Sequence, residues 1–264
     1  MIAHLRIIKN RIILMEETML QFFFRYLGIS GFIACMILLL IPMPALMVDI
    51  LYAIVWMVSV LVLGMTIKYP QDFRTLPRVL LFLSLWILAI AISFTRTILT
   101  DTRSILYKYI EILNFNSVVN IVLAVMLLTG TYILVKRGAG RVVETAARFS
   151  LDAMPQRMFD VDNRLSKGEI SPEEAAEQKD KIRKDVDFCS NMDGSDKFIA
   201  GLAKALIFMY LVSMVGGCLV NVLYNNMTVW QAIFPVSFIS LWNVVLGVVP
   251  IILESIAVVY AIRH

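Results

Sequence analysis

Residues 137–155 read RGAGRVVETAARFSLDAMP, and they begin a polar stretch that continues to about Lys197. The chain around this stretch is strongly apolar, since it is 59% hydrophobic and 17% charged, with a mean hydropathy of +0.80. Yet 12 of the 24 Lys and Arg residues and 13 of the 20 Asp and Glu residues lie between Lys136 and Lys197. Charge gathered in one loop of an apolar chain indicates that the loop has a function.

The remaining sequence is too apolar for a soluble domain of this size, which predicts an all-α integral membrane protein. A membrane-spanning helix needs about 20 apolar residues. Six candidate spans follow, namely 27–40, 45–67, 76–95, 117–135, 198–223 and 230–262. Pro42 and Pro44 predict a tight turn between the first two spans. Pro235 and Pro250 predict a kinked or broken last helix, or a re-entrant piece followed by a span.

These segments divide the chain into an N-terminal tail (1–26), four spans (27–135), a helical loop (136–197) and two further spans (198–264). The apolar run near the N-terminus is not followed by the small-residue cleavage site of a signal peptide. We therefore expect a tail rather than a cleaved leader.

Basic residues set the predicted orientation, because cytoplasmic loops carry an excess of Lys and Arg. The tail, the loop after the second span, the 136–197 loop and Arg263 fall on one side, whereas the opposite side carries three basic residues in its 96–116 loop. Both termini and the large loop are therefore predicted to be cytoplasmic. The pI near 9.0 reflects charge beside anionic lipid headgroups, so no nucleic-acid partner is expected.

Catalytic and metal-binding residue types are scarce. The two histidines, His4 and His264, are at the chain ends, and Cys35, Cys189 and Cys218 are far apart. This distribution predicts no catalytic site, no metal and no cofactor, and hence a protein that is not an enzyme. The G-x-G at 138–140 lacks a third glycine and a preceding strand, which argues against a nucleotide loop.

Two helices are predicted in the loop. Apolar spacing favours one helix that begins after the flexible Gly138 and Gly140 and ends at Pro155. On this helix Arg141 and Arg148 share a face, and Asp152 is placed to pair with Arg148. The sequence SPEE at 171–174 predicts a capping box that starts a second helix, which runs to about residue 187.

Three ionisable residues fall within the predicted spans, namely Asp49, Lys204 and Glu254. Glu254 lies on the order of 13 Å inside the end of the last span, at 1.5 Å per helical residue. A lone ionised carboxylate is costly there, so Glu254 is expected to be neutral, paired or facing water. Lys204 has a matching depth, and we hypothesise a Lys204–Glu254 pair.

Three loop motifs point to a known family; they are GAGRV at 138–142, ARFSLDAMP at 147–155 and NMDGSDKF at 191–198. They closely resemble the cytoplasmic-loop signature of the FHIPEP family, the large export-gate subunits of type III secretion systems. The order of the spans and the residues Asp49, Pro77 and Thr95 also match this family. GAGR resembles its flagellar branch.

The resemblance implies a nonameric ring in the bacterial inner membrane that couples proton motive force to protein export. It implies partnership with membrane lipid, other export-gate proteins, the ATPase complex and exported proteins. It also implies that Arg141, Arg148, Asp152 and Lys197 take part in energy coupling.

The chain departs from the family pattern at several positions. The family's Arg-Gly-Asp-Ala is replaced by IAGL at 199–202, and its Gly-Asp-Gly by WNV at 242–244. Ile87 and Ala91 stand where the family has arginine and asparagine. The last two spans and the cytosolic docking domain of the family are expected to be absent after His264. A degenerate, non-conducting scaffold is therefore an alternative, as is a small ion or solute transporter, although no internal repeat typical of transporters is found.

Overall fold

The computed structural model describes residues 30–39, 44–68, 74–100 and 116–263, and within these ranges the chain is helical without strands. The helices are α1 (Ser30–Leu39), α2 (Ala45–Lys68), α3 (Leu76–Thr100), α4 (Ser117–Ile133), α5 (Gly140–Ser166), α6 (Pro172–Tyr224) and α7 (Val229–Arg263). A π-helical segment, Leu134–Ala139, joins α4 to α5. The predicted all-α membrane fold is confirmed.

Five of the helical segments in the described residues are long and apolar enough to cross a membrane. They correspond to the predicted spans two to six. Of the first predicted span, the structure describes only the ten residues of α1, a shorter apolar helix. The predicted tail (1–26), the turn residue Pro42 and most of the 96–116 loop lie outside the described residues.

Two helices run without a break from the membrane into the charged loop. The segment Ser117–Ser166 forms one continuous helix of 50 residues, and α6 has 53 residues, a length of about 80 Å at 1.5 Å per residue. The predicted helix end at Pro155 is wrong, because α5 continues through it. Leu151 and Pro155 are exposed, so water can satisfy the carbonyl that the proline leaves without an N–H donor.

The last helix is also continuous. Pro235 and Pro250 both lie inside α7, so the broken and re-entrant alternatives are wrong. Pro250 cannot donate to the carbonyl of Leu246, four residues earlier. Trp56 of α2 supplies the missing donor, since its indole Nε1 lies 2.9 Å from the Leu246 carbonyl oxygen.

Helix α7 forms the centre of the membrane part and packs against α2, α3, α4 and α6. Its buried side chains include Ile251 and Val258. The outer faces of the surrounding helices are apolar and exposed, as at Met57 of α2 and Met126 of α4. An apolar outer face of this kind suits contact with lipid, where it needs no polar partner.

The bond between Trp56 and Leu246 can be tested through Pro250. We expect Trp56→Phe to lower the free energy of unfolding by about 1 kcal/mol, because the Leu246 carbonyl loses its donor. In a Pro250→Ala background the carbonyl regains a backbone N–H, so the same change should cost less. Unfolding in detergent micelles measures both values in a double-mutant cycle.

Trp242→Phe is the matched control, because the Trp242 indole nitrogen is buried without a partner. Equal losses for Trp56→Phe with and without Pro250 would contradict the proposed compensation.

Candidate functional site

Helix α5 and the first half of α6 form a hairpin outside the apolar segments, here called the loop hairpin (residues 140–197). The predicted capping box is confirmed: Ser171 Oγ accepts from the Glu174 amide at 3.1 Å, and Glu174 accepts from the Ser171 amide at 2.9 Å. Gly168 has φ of +72° at the end of α5, a conformation that glycine adopts without strain. A sharp reversal between the two helices follows.

The outer end of the hairpin has its own contacts. Val161, Ile170 and Ala175 form a small buried cluster. Lys179 of α6 pairs with Asp162 of α5 across the two helices. These contacts hold the two helices side by side beyond the membrane.

The loop hairpin meets the membrane helices at a contact that we call the joint, made by Pro77, Gly140, Ser195 and Asp196. Ser195 Oγ lies 3.0 Å from the carbonyl oxygen of Pro77 at the start of α3. A methyl group placed on Gly140 would lie 2.9 Å from Asp196 Oδ2, so any larger residue would require the Asp196 carboxyl group or the backbone to move. Nearby, Arg74 pairs with Asp185 of the hairpin at 3.1 Å.

Asp196 carries an unusual carboxyl group. It is 3% exposed, and its Oδ1 has no hydrogen-bond partner. Burial, and then the nearby Asp193, raise the pKa of Asp196 from 3.8 to about 6, while Lys197 acts in the opposite direction. The joint therefore contains a carboxyl group that changes charge near pH 6.

A cluster of charged residues lies beside the joint. Arg148 pairs with Glu144 at 2.6 Å on α5, and Lys197 pairs with Asp193 at 2.6 Å on α6. The hydrogen bond and charge of Asp193 raise the pKa of Lys197. The charge of Glu144 also raises this pKa, whereas the charge of Arg148 lowers it. The charges of α5 and α6 are thus close enough to interact.

The predicted loop residues are only partly brought together. Arg148 and Lys197 belong to the charged cluster. The predicted pairing of Arg148 with Asp152 is wrong, because Arg148 turns back to Glu144, four residues earlier. Arg141 and Asp152 are exposed on α5.

Inside the membrane part, two groups of buried polar side chains connect α3 to α7. In the first, Asn243 accepts from the Tyr52 hydroxyl at 2.8 Å and donates to Thr95 Oγ1 at 3.2 Å. Ser213 of α6 also donates to Thr95, at 3.4 Å. In the second, Ser84 Oγ donates to Glu254 Oε2 at 2.8 Å.

The two groups share one register. Thr95 lies 11 residues after Ser84 on α3, and Asn243 lies 11 residues before Glu254 on the antiparallel α7. Eleven residues make about three helical turns and about 16 Å, so both contacts fall on the same helix faces. Between them the faces are apolar, with Ile87, Ala91 and Ile251 fully buried. We call this contact the α3–α7 seam.

The predicted intramembrane charges are separated. Glu254 is 1% exposed and Lys204 is exposed. The Lys204–Glu254 pair is wrong: the Lys204 ammonium lies 6.0 Å from the centre of the Tyr132 ring, and Glu254 contacts Ser84 instead. Asp49 is half-buried near the start of α2.

Several residues of the site were not selected from the sequence. Ser84 and Tyr52 are ordinary residues of apolar helices. The signal that the sequence does contain is a shared spacing, because Ser84 and Thr95 are 11 residues apart and so are Asn243 and Glu254. The sequence does not indicate that Asp196, rather than its neighbour Lys197, is buried, because the rotation of the helix decides which of two adjacent residues faces inward. Within the described ranges, no group of His, Cys, Asp and Glu residues could hold a metal ion.

The FHIPEP family model matches residues 35–262. The flagellar biosynthesis protein FlhA of Caulobacter vibrioides is 31% identical over 241 residues, covering 88% of this chain and 34% of the relative. No solved structure matches this chain significantly.

Relatives also carry names from outside the flagellum. The hypersensitivity response secretion protein HrcV of Ralstonia nicotianae is 29% identical over 248 residues, covering 92% of this chain and 36% of the relative. The low calcium response locus protein D of Yersinia pestis is 31% identical over 229 residues, covering 85% and 32%. The chain spans about a third of the length of these relatives.

The close approach at the joint can be tested with two glycines of one helix. Gly140→Ala places a methyl group against Asp196, and overpacking of about 1–3 kcal/mol should outweigh the gain in helix propensity. Gly138→Ala meets no atom within 4 Å, so it should be neutral or stabilising by up to about 1 kcal/mol. Unfolding in detergent micelles measures both changes. Equal effects of the two substitutions would contradict the close packing.

The buried carboxyl of Asp196 predicts a dependence of stability on pH. Its pKa is higher in the folded protein, so folding favours the protonated form. The contribution of Asp196 to stability should be greatest below pH 3.8 and should be lost as pH rises through about 6. Asp196→Asn should remove this part of the pH dependence in thermal unfolding. Asp152→Asn, at an exposed position on α5, is the control and should keep the part of the pH dependence that comes from Asp196.

Proposed function

The chain belongs to the FHIPEP family, and from that membership we propose that it is a membrane component of a type III, flagellar-type protein export gate. The observation that carries the proposal is the joint. Residues of two loop motifs, Gly140 at the start of α5 and Asp196 in the middle of α6, meet there where the hairpin reaches the membrane part. The motifs that resemble the family thus form one structural unit.

We propose a multi-pass position in the bacterial inner membrane with both termini and the loop hairpin in the cytoplasm. The membrane face from which the hairpin extends, here called the loop face, supports this orientation. It carries exposed basic residues on three helical segments, including Arg78, Lys136 and Arg263. Basic residues at one face favour the cytoplasmic side.

The proposed partners are further copies of this chain in a nonameric ring, membrane lipid, other export-gate proteins, the ATPase complex and exported proteins. Exposed aromatic residues of the loop hairpin support a protein partner. Phe149 is 70% exposed and Phe159 is 59% exposed, although both lie outside the apolar segments. Exposed aromatic residues in water favour burial against another protein. This role is one of binding and transport rather than enzymatic catalysis.

We propose that the gate couples proton motive force to export through the charged cluster beside the joint. The cluster contains Glu144, Arg148, Asp193 and Lys197, and its charges come from both helices of the hairpin. Asp196 lies next to it and is buried. A change of protonation there would alter the forces between α5 and α6.

The non-conducting scaffold is the second candidate, and Asn243 favours it. Asn243 is an amide in a neutral, hydrogen-bonded network with Tyr52 and Thr95, and an amide cannot bind and release a proton at physiological pH. In this alternative the chain keeps the loop hairpin as a docking surface but does not couple ion flow to export.

The proposal can be tested with a chimera, because the chain spans only part of its relatives. Residues 35–262 would replace the matching region of FlhA from Caulobacter vibrioides in cells lacking the native protein. We expect flagellar proteins to appear in the medium. Arg148→Ala and Lys197→Ala should reduce that secretion several-fold, because they disrupt the charged cluster.

Arg157→Ala, at an exposed position outside the cluster, is the matched control. A chimera that reaches the membrane at the normal level but secretes nothing would contradict the coupling proposal and favour the scaffold.

A further inference from the structure

Glu254 is a buried acid that the charged cluster does not use. It is 1% exposed, accepts one hydrogen bond from Ser84 through Oε2, and leaves Oε1 without a partner. An ionised carboxylate in such surroundings would need a cation or further donors. The ion pairs found in the described residues do not include Glu254.

Within the described residues, no basic side chain of the surrounding helices forms an ion pair with Glu254. On the loop-face half of these helices the basic residues are Lys68 on α2, Arg78 on α3, Lys136 and Arg137 on the π-helical segment, and Lys204 on α6. All five are exposed. Lys136 and Lys204 both lie over the ring of Tyr132. Tyr260 and Arg263, on α7 itself, lie six and nine residues beyond Glu254, about 9 Å and 13 Å along the helix axis.

An opening leads from the loop face to the residue beside Glu254. A groove of about 330 Å³ lies between α7 and the π-helical segment. Its lining is mostly apolar and consists of Leu134, Gly138, Ala139, Ser255, Ile256, Val259, Tyr260 and Arg263. It extends along α7 from Ser255 to Arg263, about 12 Å. Its polar end at Arg263 faces the loop side, and its inner end reaches Ser255, next to Glu254 in the chain.

We propose that Glu254 is a proton-binding site within the membrane part of this chain, supplied through the groove between α7 and the π-helical segment. In the resting form Oε1 carries the proton, and Oε2 accepts from Ser84. On release the O–H bond of the acid breaks, the proton passes to a water molecule that enters the seam from the groove, and Glu254 becomes a carboxylate that keeps the Ser84 bond. Uptake reverses these steps.

This site would give the chain a titratable group in the α3–α7 seam. The other polar contact of the seam, around Thr95 and Asn243, is neutral in every side chain. Ionisation of Glu254 would put an unpaired charge between α3 and α7 and would favour their separation or hydration. The inference rests on the proposed function for its biological role, but the site itself is independent of export.

Infrared spectroscopy of the purified chain in phospholipid nanodiscs tests the site directly. We expect a carbonyl stretch of a protonated carboxylic acid at neutral pH. It should be lost in Glu254→Gln, shifted in Ser84→Ala, and unchanged in the control Glu177→Gln, whose carboxylate is exposed on α6. Raising the pH toward about 10, above the values at which buried carboxylic acids are known to titrate, should remove the band reversibly.

The route is tested by the rate at which the band shifts after transfer to deuterated water. Gly138→Leu fills the groove and should slow this exchange several-fold. Gly130→Leu on α4, where nothing lies within 4 Å, is the control and should not. Absence of a Glu254-dependent band, or a band that does not change with pH, would overturn the site. Equal exchange rates in the two leucine variants would overturn the route.

These outcomes are separable from failure of the proposed function. If the chimera does not secrete but the band titrates, the export role fails and the proton site stands. If the chimera secretes but no such band exists, the reverse holds.

Discussion

Backbone N–H and C=O groups inside a bilayer have no water to bind, and this constraint shapes every helix of the membrane part. It keeps α7 continuous although two prolines lie within it. At Pro250 a neighbouring helix supplies the missing hydrogen bond, because Trp56 of α2 donates to the Leu246 carbonyl that the proline leaves without a donor. Outside the bilayer the same defect at Pro155 needs no protein partner. The environment of each proline, rather than the proline itself, decides what must surround it.

The loop hairpin is connected to the membrane part by continuous helices. Helix α6 enters the loop hairpin and the membrane as one element, and α5 continues α4 through the π-helical segment. The hairpin therefore has no flexible linker within the described residues. Its position depends on packing at the joint, where Gly140 allows the Asp196 carboxylate to approach the backbone. The contact between Gly140 and Asp196 thus helps to set the angle of the whole loop hairpin against the membrane part.

Much of this fold was readable from the sequence, because hydrophobic runs and the capping box at Ser171 act locally. The predicted helix end at Pro155 and the predicted break at Pro250 are wrong. A proline ends a helix only when nothing else satisfies the carbonyl that it leaves without a donor. The site was less accessible. Arg148 had acids four residues away on both sides, and only the three-dimensional structure distinguishes Glu144 from Asp152. Whether Asp196 or Lys197 faces inward depends on the rotation of α6 against α3, which no local pattern fixes.

The α3–α7 seam has a consequence for how the sequence can vary. Its two polar contacts, Ser84 with Glu254 and Thr95 with Asn243, lie three turns apart on both helices. Inserting or deleting one residue between them on either helix would rotate one contact by about 100° relative to the other. Both contacts could not then form together, and a polar group would be left unpaired in an apolar core. The two contacts together therefore allow only one register of α3 against α7, whereas either contact alone would not fix it.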